Sequence, residues 1–251
     1  MGAGVAASAA RRFAPVQLDL AGKNPAVVFD CEDLEAAARE IVSAAFLCTG
    51  QRCIALSRVI VADWQADALV EKIVCQVGRT KVGDGLLEGT TMGPLVCRAQ
   101  FDIVDRYVRK GIESGCPVLA GGAPPARDPH AEGFYYTPTV FDRVPPDSPL
   151  ASEEIFGPVL PVIRVKEVGE AIEIANANRY GPAAAVFTSR QRLVHKFASK
   201  LQAGMIHINH GTASQAHVPF GGRKDSGQGA FSIGPSARDF YTQVKAVYVK
   251  W

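Results

Sequence analysis

An α/β fold with a largely parallel sheet flanked by helices is the fold class the sequence predicts, on three observations. Strand-like and helix-like stretches alternate along most of the 251 residues, the pattern that builds parallel sheets from crossover helices. The helical stretches carry apolar stripes at helical spacing. The alternation stops after His210 and gives way to a Gly-rich segment.

Taken in order, residues 2–13 read as a short Ala-rich helix that Pro15 ends. Residues 16–20 alternate apolar and polar, as a half-buried strand does. Residues 21–25 are a turn, and 26–29 a short, fully apolar strand. Asp30 suits a helix N-cap, with Glu32 and Asp33 in the first turn. Leu34, Ala38, Ile41, Ala45 and Leu47 then keep helical spacing up to a Gly-containing turn that ends on Cys53. A strand is expected at 58–62 and a helix from about 65 to 77, with Leu69, Ile73 and Val77 on one face. A Gly-rich loop over 82–94 leads to a helix at 99–113 whose stripe is Phe101, Val104, Val108 and Ile112. Residues 117–122 read as a strand and turn, 123–132 as an exposed loop, and 135–144 as an extended stretch broken by Pro138. After a turn at 152–158 come a strand at 159–165, a helix near 168–178, and a strand at 183–188. A helix at 190–201 and a strand at 205–209 complete the alternation. The chain closes on a Gly-rich segment, 219–229, and a long terminal strand from Asp239 with Val244, Val247 and Val249 apolar. Such a strand without a local partner invites pairing with another chain.

Composition narrows the function classes. A net charge of +2 without a dense Lys/Arg block does not describe a nucleic-acid surface. No run of eighteen apolar residues occurs, so no membrane span is expected. The N-terminus lacks the apolar core of a secretory signal. The six cysteines are scattered without a CxxC pair, so neither zinc-ligand spacing nor a disulfide framework is read, and reduced thiols in the cytoplasm are expected. His207 and His210 lack a Cys/His partner pair, and no metal site is assigned. The paired glycines at 83 and 85 and at 221 and 222 do not open a helix after a strand, so neither is a phosphate loop.

Cys53 is the candidate chemical centre. A cysteine at a helix-to-strand turn combines partial exposure with nearby backbone N–H donors, which suits a nucleophile and its oxyanion site. Asp19 precedes one Gly turn, and Glu153 and Glu154 lie at another.

In order, the chain reads L-D-L-A-G-K-N-P at 18–25, G-Q-R-C at 50–53, E-I-F-G-P at 154–158, P-F-G-G at 219–222 and K-D-S-G-Q-G at 224–229. These motifs resemble those of the aldehyde dehydrogenase superfamily, L-E-L-G-G-K-x-P, G-Q-x-C, E-I-F-G-P, P-F-G-G and K-x-S-G-x-G. The resemblance runs over nearly the whole chain and covers only the C-terminal half of such an enzyme. It implies a catalytic domain of that type, with residues 1–20 a remnant of a coenzyme-binding domain. Residues 21–218 would be the catalytic thiol domain, and 219–251 a return segment and oligomerisation strand. It also implies NAD or NADP as cofactor, a small aldehyde as substrate, and a homo-oligomer formed through residues 240–251. Cys53 would form a thiohemiacetal and then a thioester, which Asp19 would help water to hydrolyse. Glu154 would hold the nicotinamide ribose, Phe156 would pack by the cofactor, and Gln100 would approach the same ribose. Lys23 receives no chemical role. The run 208–222 looks more like dehydrogenases of semialdehydes.

Departures from the pattern set up alternatives. Asp19 is one methylene shorter than the usual Glu. Ala21 replaces a Gly, which is costly wherever that position needs positive φ. Cys48 stands where Asn is common, and reads as a buried apolar thiol or as a disulfide partner for Cys53. Pro182 replaces a usual Leu, and Ala230 and Phe231 replace Arg and Glu. Beside the dehydrogenase reading stand an inactive remnant with an oligomerisation role and a cofactor-independent thiol esterase.

Overall fold

The structure, a computed structural model, describes residues 1–125 and 133–251. Most of the loop expected at 123–132 lies outside the described residues. The elements are α1 (Gly2–Ala10), β1 (Gln17–Asp19), β2 (Asn24–Val28), α2 (Leu34–Phe46), β3 (Leu56–Ala62), α3 (Asp63–Val77) and α4 (Arg98–Glu113). Then come β4 (Val118–Ala120), β5 (Thr139–Phe141), α5 (Pro149–Ser152), β6 (Val159–Val165), α6 (Val168–Asn176), β7 (Tyr180–Gly181) and β8 (Ala183–Phe187). The chain continues with α7 (Gln191–Lys200), β9 (Met205–Ile208), β10 (Arg223–Lys224), β11 (Gly227–Gly229) and α8 (Gly234–Tyr241).

Seven strands form one sheet in the order β4-β5-β6-β3-β2-β8-β9, parallel throughout except for β4 against β5. The expected fold class is therefore the observed one. Successive strand residues point to opposite faces, and the core divides accordingly. Val27 and Ile60 pack with Val104 and Val108 of α4, Ala171 of α6 and Phe197 of α7. Val28, Val59 and Val61 pack with Ile41 of α2 and with Leu69 and Ile73 of α3. Every residue of β2 and β8 is buried, because parallel strands between two helical layers meet apolar side chains on both faces.

Local differences from the expected elements have local causes. The cap of α2 is Asp33, whose Oδ1 accepts from the Ala36 N–H at 2.9 Å, while Asp30 adopts φ 51° in the preceding turn. Leu47 falls outside α2 and is half-exposed, because the helix ends at Phe46. The stripe of α4 runs onto Gly111 instead of Ile112. A Cβ on Gly111 would lie 2.7 Å from Leu150, so the helix packs there by the absence of a side chain. The turn expected at 21–25 stops at Lys23, and Asn24 and Pro25 open β2 across a register irregularity. Pro25 has no N–H to give the ladder.

The terminal strand expected from Asp239 begins instead inside α8. Pro235 sits in the first turn of that helix, where its fixed φ is helical. Residues 242–251 have no ladder partner among the described residues, and Val244, Val247 and Val249 are exposed.

The parallel order places the chemistry-bearing motifs together. Lys23 precedes β2, Cys53 precedes β3, Glu154 precedes β6, and Gly181 and Gly204 precede β8 and β9. Because these strands are parallel, all five positions fall at one edge of the sheet, the amino ends. Open α/β sheets ordinarily bind ligands at the opposite, carboxyl edge.

Candidate functional site

The turn before Cys53 is built from three successive left-handed residues, Cys48 (φ 54°), Thr49 (φ 60°) and Gly50 (φ 73°). Such backbone is costly for L side chains, and tertiary hydrogen bonds hold it. The Thr49 hydroxyl donates to the Gly93 carbonyl at 2.9 Å. The Gln51 Oε1 accepts from the Val96 N–H at 2.9 Å, while its Nε2 donates to the Cys48 carbonyl at 3.3 Å. Arg52 donates to the Ala44 carbonyl at 2.8 Å. The Gly-Gln pair of the G-Q-R-C motif is thus accounted for by turn geometry and by a tie to the 93–96 loop.

Cys53 itself is half-buried. Burial raises its thiol pKa, and the negative charge of Asp19 adds to this. The backbone N–H groups of Ile54 and Cys53 and the Arg52 guanidinium act in the opposite direction. The structure therefore brings Asp19 and Cys53 within electrostatic reach, as the motif order implies. Asp19 ends β1, which pairs antiparallel with β11 and so is fastened to the Gly-rich return segment. Its carboxylate keeps solvent access. Loss of hydration to neighbouring atoms raises its pKa, and the Ser232 hydroxyl, donating to it, lowers it.

Glu154 is joined to the same edge through the Gly22 N–H, which donates to its Oε1 at 2.8 Å. Burial raises the Glu154 pKa, against the lowering effect of that N–H and of the Lys23 charge. Phe156 adopts φ 54° and leaves its ring 38% exposed. Gln100 donates from Nε2 to the carbonyls of Ile155 and Phe156, at 2.8 and 2.9 Å. Its amide N–H groups are thus spent on holding the Phe156 loop. Tyr107 donates to the neighbouring Glu153.

Two features of the L-D-L-A-G-K-N-P motif escape a reading of the sequence. Ala21 does not adopt a positive φ, so the penalty of a lost glycine is absent there. Lys23 is 2% exposed, and among the described residues its Nζ has no hydrogen-bond partner. Burial pushes its pKa down to about 7, helped by the buried Arg58 and opposed by Glu154 and Glu153. In an unfolded chain a lysine titrates near ~10.4. Between those values the unfolded state binds a proton that the folded state does not, so stability rises with pH over that window. Below it both states are protonated and the burial penalty is fully felt. Relative to Lys23→Met, the urea midpoint of the wild type is expected to climb between about pH 7 and about pH 10. Parallel midpoints would show that Lys23 keeps an ordinary charge.

The run 208–222 lines one side of a cavity of about 420 Å³ with His210, Ser214, Gln215 and Phe220, and His207 of β9 lines it beside them. The two imidazoles stack edge to face at 5.0 Å. Burial, with the His210 charge adding, pushes the His207 pKa down to about 4. Among the described residues, no three His, Cys, Asp or Glu side chains gather around one possible metal position. All six cysteines are free, and Cys48 is exposed, which corrects the buried thiol expected there. Its left-handed backbone turns the side chain out of the α2 face. No described helix is long and apolar enough to cross a membrane.

The sequence pattern described as "Aldehyde dehydrogenase family" matches residues 1–247. The chain is 38% identical over 244 residues to an alpha-ketoglutaric semialdehyde dehydrogenase of Bacillus subtilis (strain 168), covering 97% of this chain and 50% of that one. It is 38% identical over 246 residues to a betaine aldehyde dehydrogenase of Brucella anthropi, covering 98% of this chain and 50% of that one. An NAD+ complex of an aldehyde dehydrogenase from Bacillus cereus superposes with a TM-score of 0.92 at 37% identity, covering 99% of this chain and 50% of that one. The chain spans about half the length of the curated relatives it matches.

Proposed function

The chain belongs to the aldehyde dehydrogenase family, and on that ground we propose that it takes part in NAD- or NADP-dependent oxidation of an aldehyde to a carboxylic acid, with Cys53 as nucleophile and Asp19 as base. The observation that carries this reading is the half-buried thiol set beside a carboxylate and two backbone N–H groups. Because burial favours the protonated thiol, the two N–H groups and Arg52 hold the thiolate once its proton has gone to solvent, and Asp19 is the nearby carboxylate that serves as base for the later hydrolysis. The Cys53 sulfur adds to the aldehyde carbon while the carbonyl oxygen takes the electron pair and meets the Cys53 N–H. NAD or NADP, when bound, would supply the acceptor for the hydride lost from this carbon, and the acyl group would then remain on Cys53 as a thioester. Asp19 takes a proton from water, the water oxygen adds to the thioester carbon, and the carbon–sulfur bond breaks to release the acid, the sulfur recovering the proton held by Asp19. The oxygen gained comes from water and the two electrons leave as hydride.

Glu154 and Phe156 suit the ribose end of such a cofactor. Among the described residues no hydrogen bond engages the Glu154 Oε2, which leaves an acceptor for ribose hydroxyls beside a half-exposed aromatic ring. Gln100 serves that site by holding the Phe156 loop. A semialdehyde is the substrate class favoured by the run 208–222, in line with the semialdehyde dehydrogenase named above. The boundaries at 20/21 and 218/219 stand as the domain division of this reading. A homo-oligomer through residues 240–251 is supported by the exposed valines there and by the open edge of β9; a sedimentation run that finds only monomer removes it.

Acylation by p-nitrophenyl acetate tests the central claim without a hydride step. Trypsin cuts after Arg52 and Arg58, so Cys53 is the only cysteine of its peptide. The expected result is a stoichiometric burst of nitrophenolate with the acetyl group on that peptide, with or without NAD. Acetyl found elsewhere, or no burst, defeats the assignment of Cys53. Continued turnover with esters, joined to a failure with aldehydes and NAD, would make the thiol esterase reading the correct one.

A further inference from the structure

Three successive carbonyls follow the Cys53 sulfur, and two buried side chains take all of them. Asn24 is 1% exposed, and its Nδ2 donates to the Cys53 carbonyl at 2.9 Å and to the Ala55 carbonyl at 2.8 Å. Its Oδ1 accepts from the Ala183 N–H at 3.0 Å, so both amide protons and the oxygen are engaged and its orientation is fixed. Thr212 is 4% exposed, and its hydroxyl donates to the Ile54 carbonyl at 2.6 Å across 158 residues of chain.

We propose that Asn24 and Thr212 are positioning residues for Cys53: together they fix the two peptide planes that flank Ile54, and so hold the Ile54 N–H toward the sulfur. The proposal rests on the reading of Cys53 as nucleophile. Its physical basis is the planarity of the peptide bond. In a trans peptide the N–H of Ile54 points opposite to the Cys53 carbonyl, so a donor that pins that carbonyl also aims the N–H. Asn24 supplies this pin. The Ile54 carbonyl belongs to the next plane, and Thr212 pins it, which leaves neither torsion of Ile54 free to swivel. The Ile54 N–H is the first of the groups that favour the thiolate form of Cys53, and a hydrogen bond to the charged form favours that form. The other charges facing this sulfur are Asp19 on β1 and Arg52 in its own loop. Among the described residues, neither is hydrogen-bonded to Asn24 or Thr212.

The arrangement also explains why a turn of left-handed residues is followed by a well-fixed segment. The 48–50 turn sets where Cys53 starts, and the two pins set how its peptide faces. Both pins come from elements remote in sequence, the start of β2 and the run after β9. Asn24 ties Cys53 to the central strands β2 and β8. Thr212 ties it to the wall of the 420 Å³ cavity.

The test is the pH profile of Cys53 alkylation by iodoacetamide, from about pH 7 to about pH 11.5, read by mass spectrometry on the 53–58 tryptic peptide. Thr212→Val is nearly isosteric and keeps the packing while losing the donor. Its half-point is expected to move up by about one pH unit, and Thr212→Ser is expected to return it to the wild-type position. Asn24→Ala is expected to move it at least as far. Acylation by p-nitrophenyl acetate should slow about tenfold in both. Circular dichroism melts identify folded protein, and where Asn24→Ala fails to fold, the Thr212 pair decides. An unchanged half-point in folded Thr212→Val overturns the proposal. A wild type without a burst, whose alkylation profile still shifts in these variants, would leave the pins standing and remove the dehydrogenase reading instead.

Discussion

Gly50→Ala is expected to cost about 2–5 kcal/mol of stability and to lower the melting temperature by roughly 5–15 °C. Two contributions add. Gly50 sits at φ +73°, where an L side chain costs about 1–2 kcal/mol. A Cβ at that position would also lie 2.4 Å from the Gly157 carbonyl oxygen and 2.7 Å from its carbon, with the Ala45 carbonyl at 3.2 Å. Those neighbours are backbone and cannot turn aside as a flexible side chain can, so overpacking adds about 1–3 kcal/mol. Gly157 cannot retreat, because its own Cα faces the Val104 side chain, which a Cβ there would meet at 2.4 Å. The contact joins the G-Q-R-C turn to the E-I-F-G-P turn. Any relaxation therefore separates the loop that carries Cys53 from the loop that carries Glu154. Displacements of about 1 Å cost around a hundredfold in rate, so ester acylation at Cys53 is expected to fall by about that factor in the protein that remains folded. Gly85→Ala is the control, since open space surrounds its added methyl, and it should stay within about 0.5 kcal/mol of wild type. Equal melting temperatures and equal acylation rates for the two variants would show that the two turns do not depend on backbone contact.

That contact marks the limit of what the sequence makes legible. The strands of the central sheet are readable because β2, β3, β6 and β8 are covered on both faces and so appear as apolar runs. The helices α2, α3 and α4 are readable from one-sided stripes. The motifs around Asp19, Cys53 and Glu154 are visible as an ordered set. Their convergence is not, because it runs through contacts such as Gly22 to Glu154 and Asn24 to Ala183, 132 and 159 residues apart. No local pattern records them. Lys23 is the sharpest case: a lysine beside a turn looks solvated, and only the packed edge of the sheet shows it buried, with no hydrogen-bond partner among the described residues. Cys48 errs in the opposite direction. Its place at the end of an apolar stripe reads as buried, and a left-handed backbone turns it outward. The terminal residues 242–251 carry the alternation of a strand, but a strand exists only where a partner accepts its hydrogen bonds.

Asp19→Glu is expected to accelerate the steady-state phase that follows the acylation burst, by about tenfold to a hundredfold. The argument begins with geometry. β1 holds Asp19 in register with Gly227 of β11, so the backbone cannot advance to make up for a short side chain. An added methylene carries the carboxylate about 1 Å further along the direction in which it already senses Cys53, and errors of that size near a reacting centre are worth up to about a hundredfold. The electrostatics favour the same change. Loss of hydration already raises the Asp19 pKa, and the Ser232 hydroxyl opposes this by stabilising its charge. A Glu that reaches past Ser232 loses that stabilisation and becomes a stronger base for water. The burst should survive, because acylation needs the thiol and its N–H groups, while release of the acyl group needs water activated at the thioester. Asp19→Asn supplies the opposite arm. It should leave a stoichiometric burst and slow the steady-state phase by about a hundredfold or more, the share that a general base contributes. The pH profile separates a base from a packing effect, since in the wild type the steady-state rate should fall as acid protonates Asp19, and in Asp19→Asn that limb should vanish. Should Asp19→Glu turn over no faster and Asp19→Asn no slower, Asp19 is a solvated carboxylate, and the base for the second half of the reaction lies outside residues 18–25.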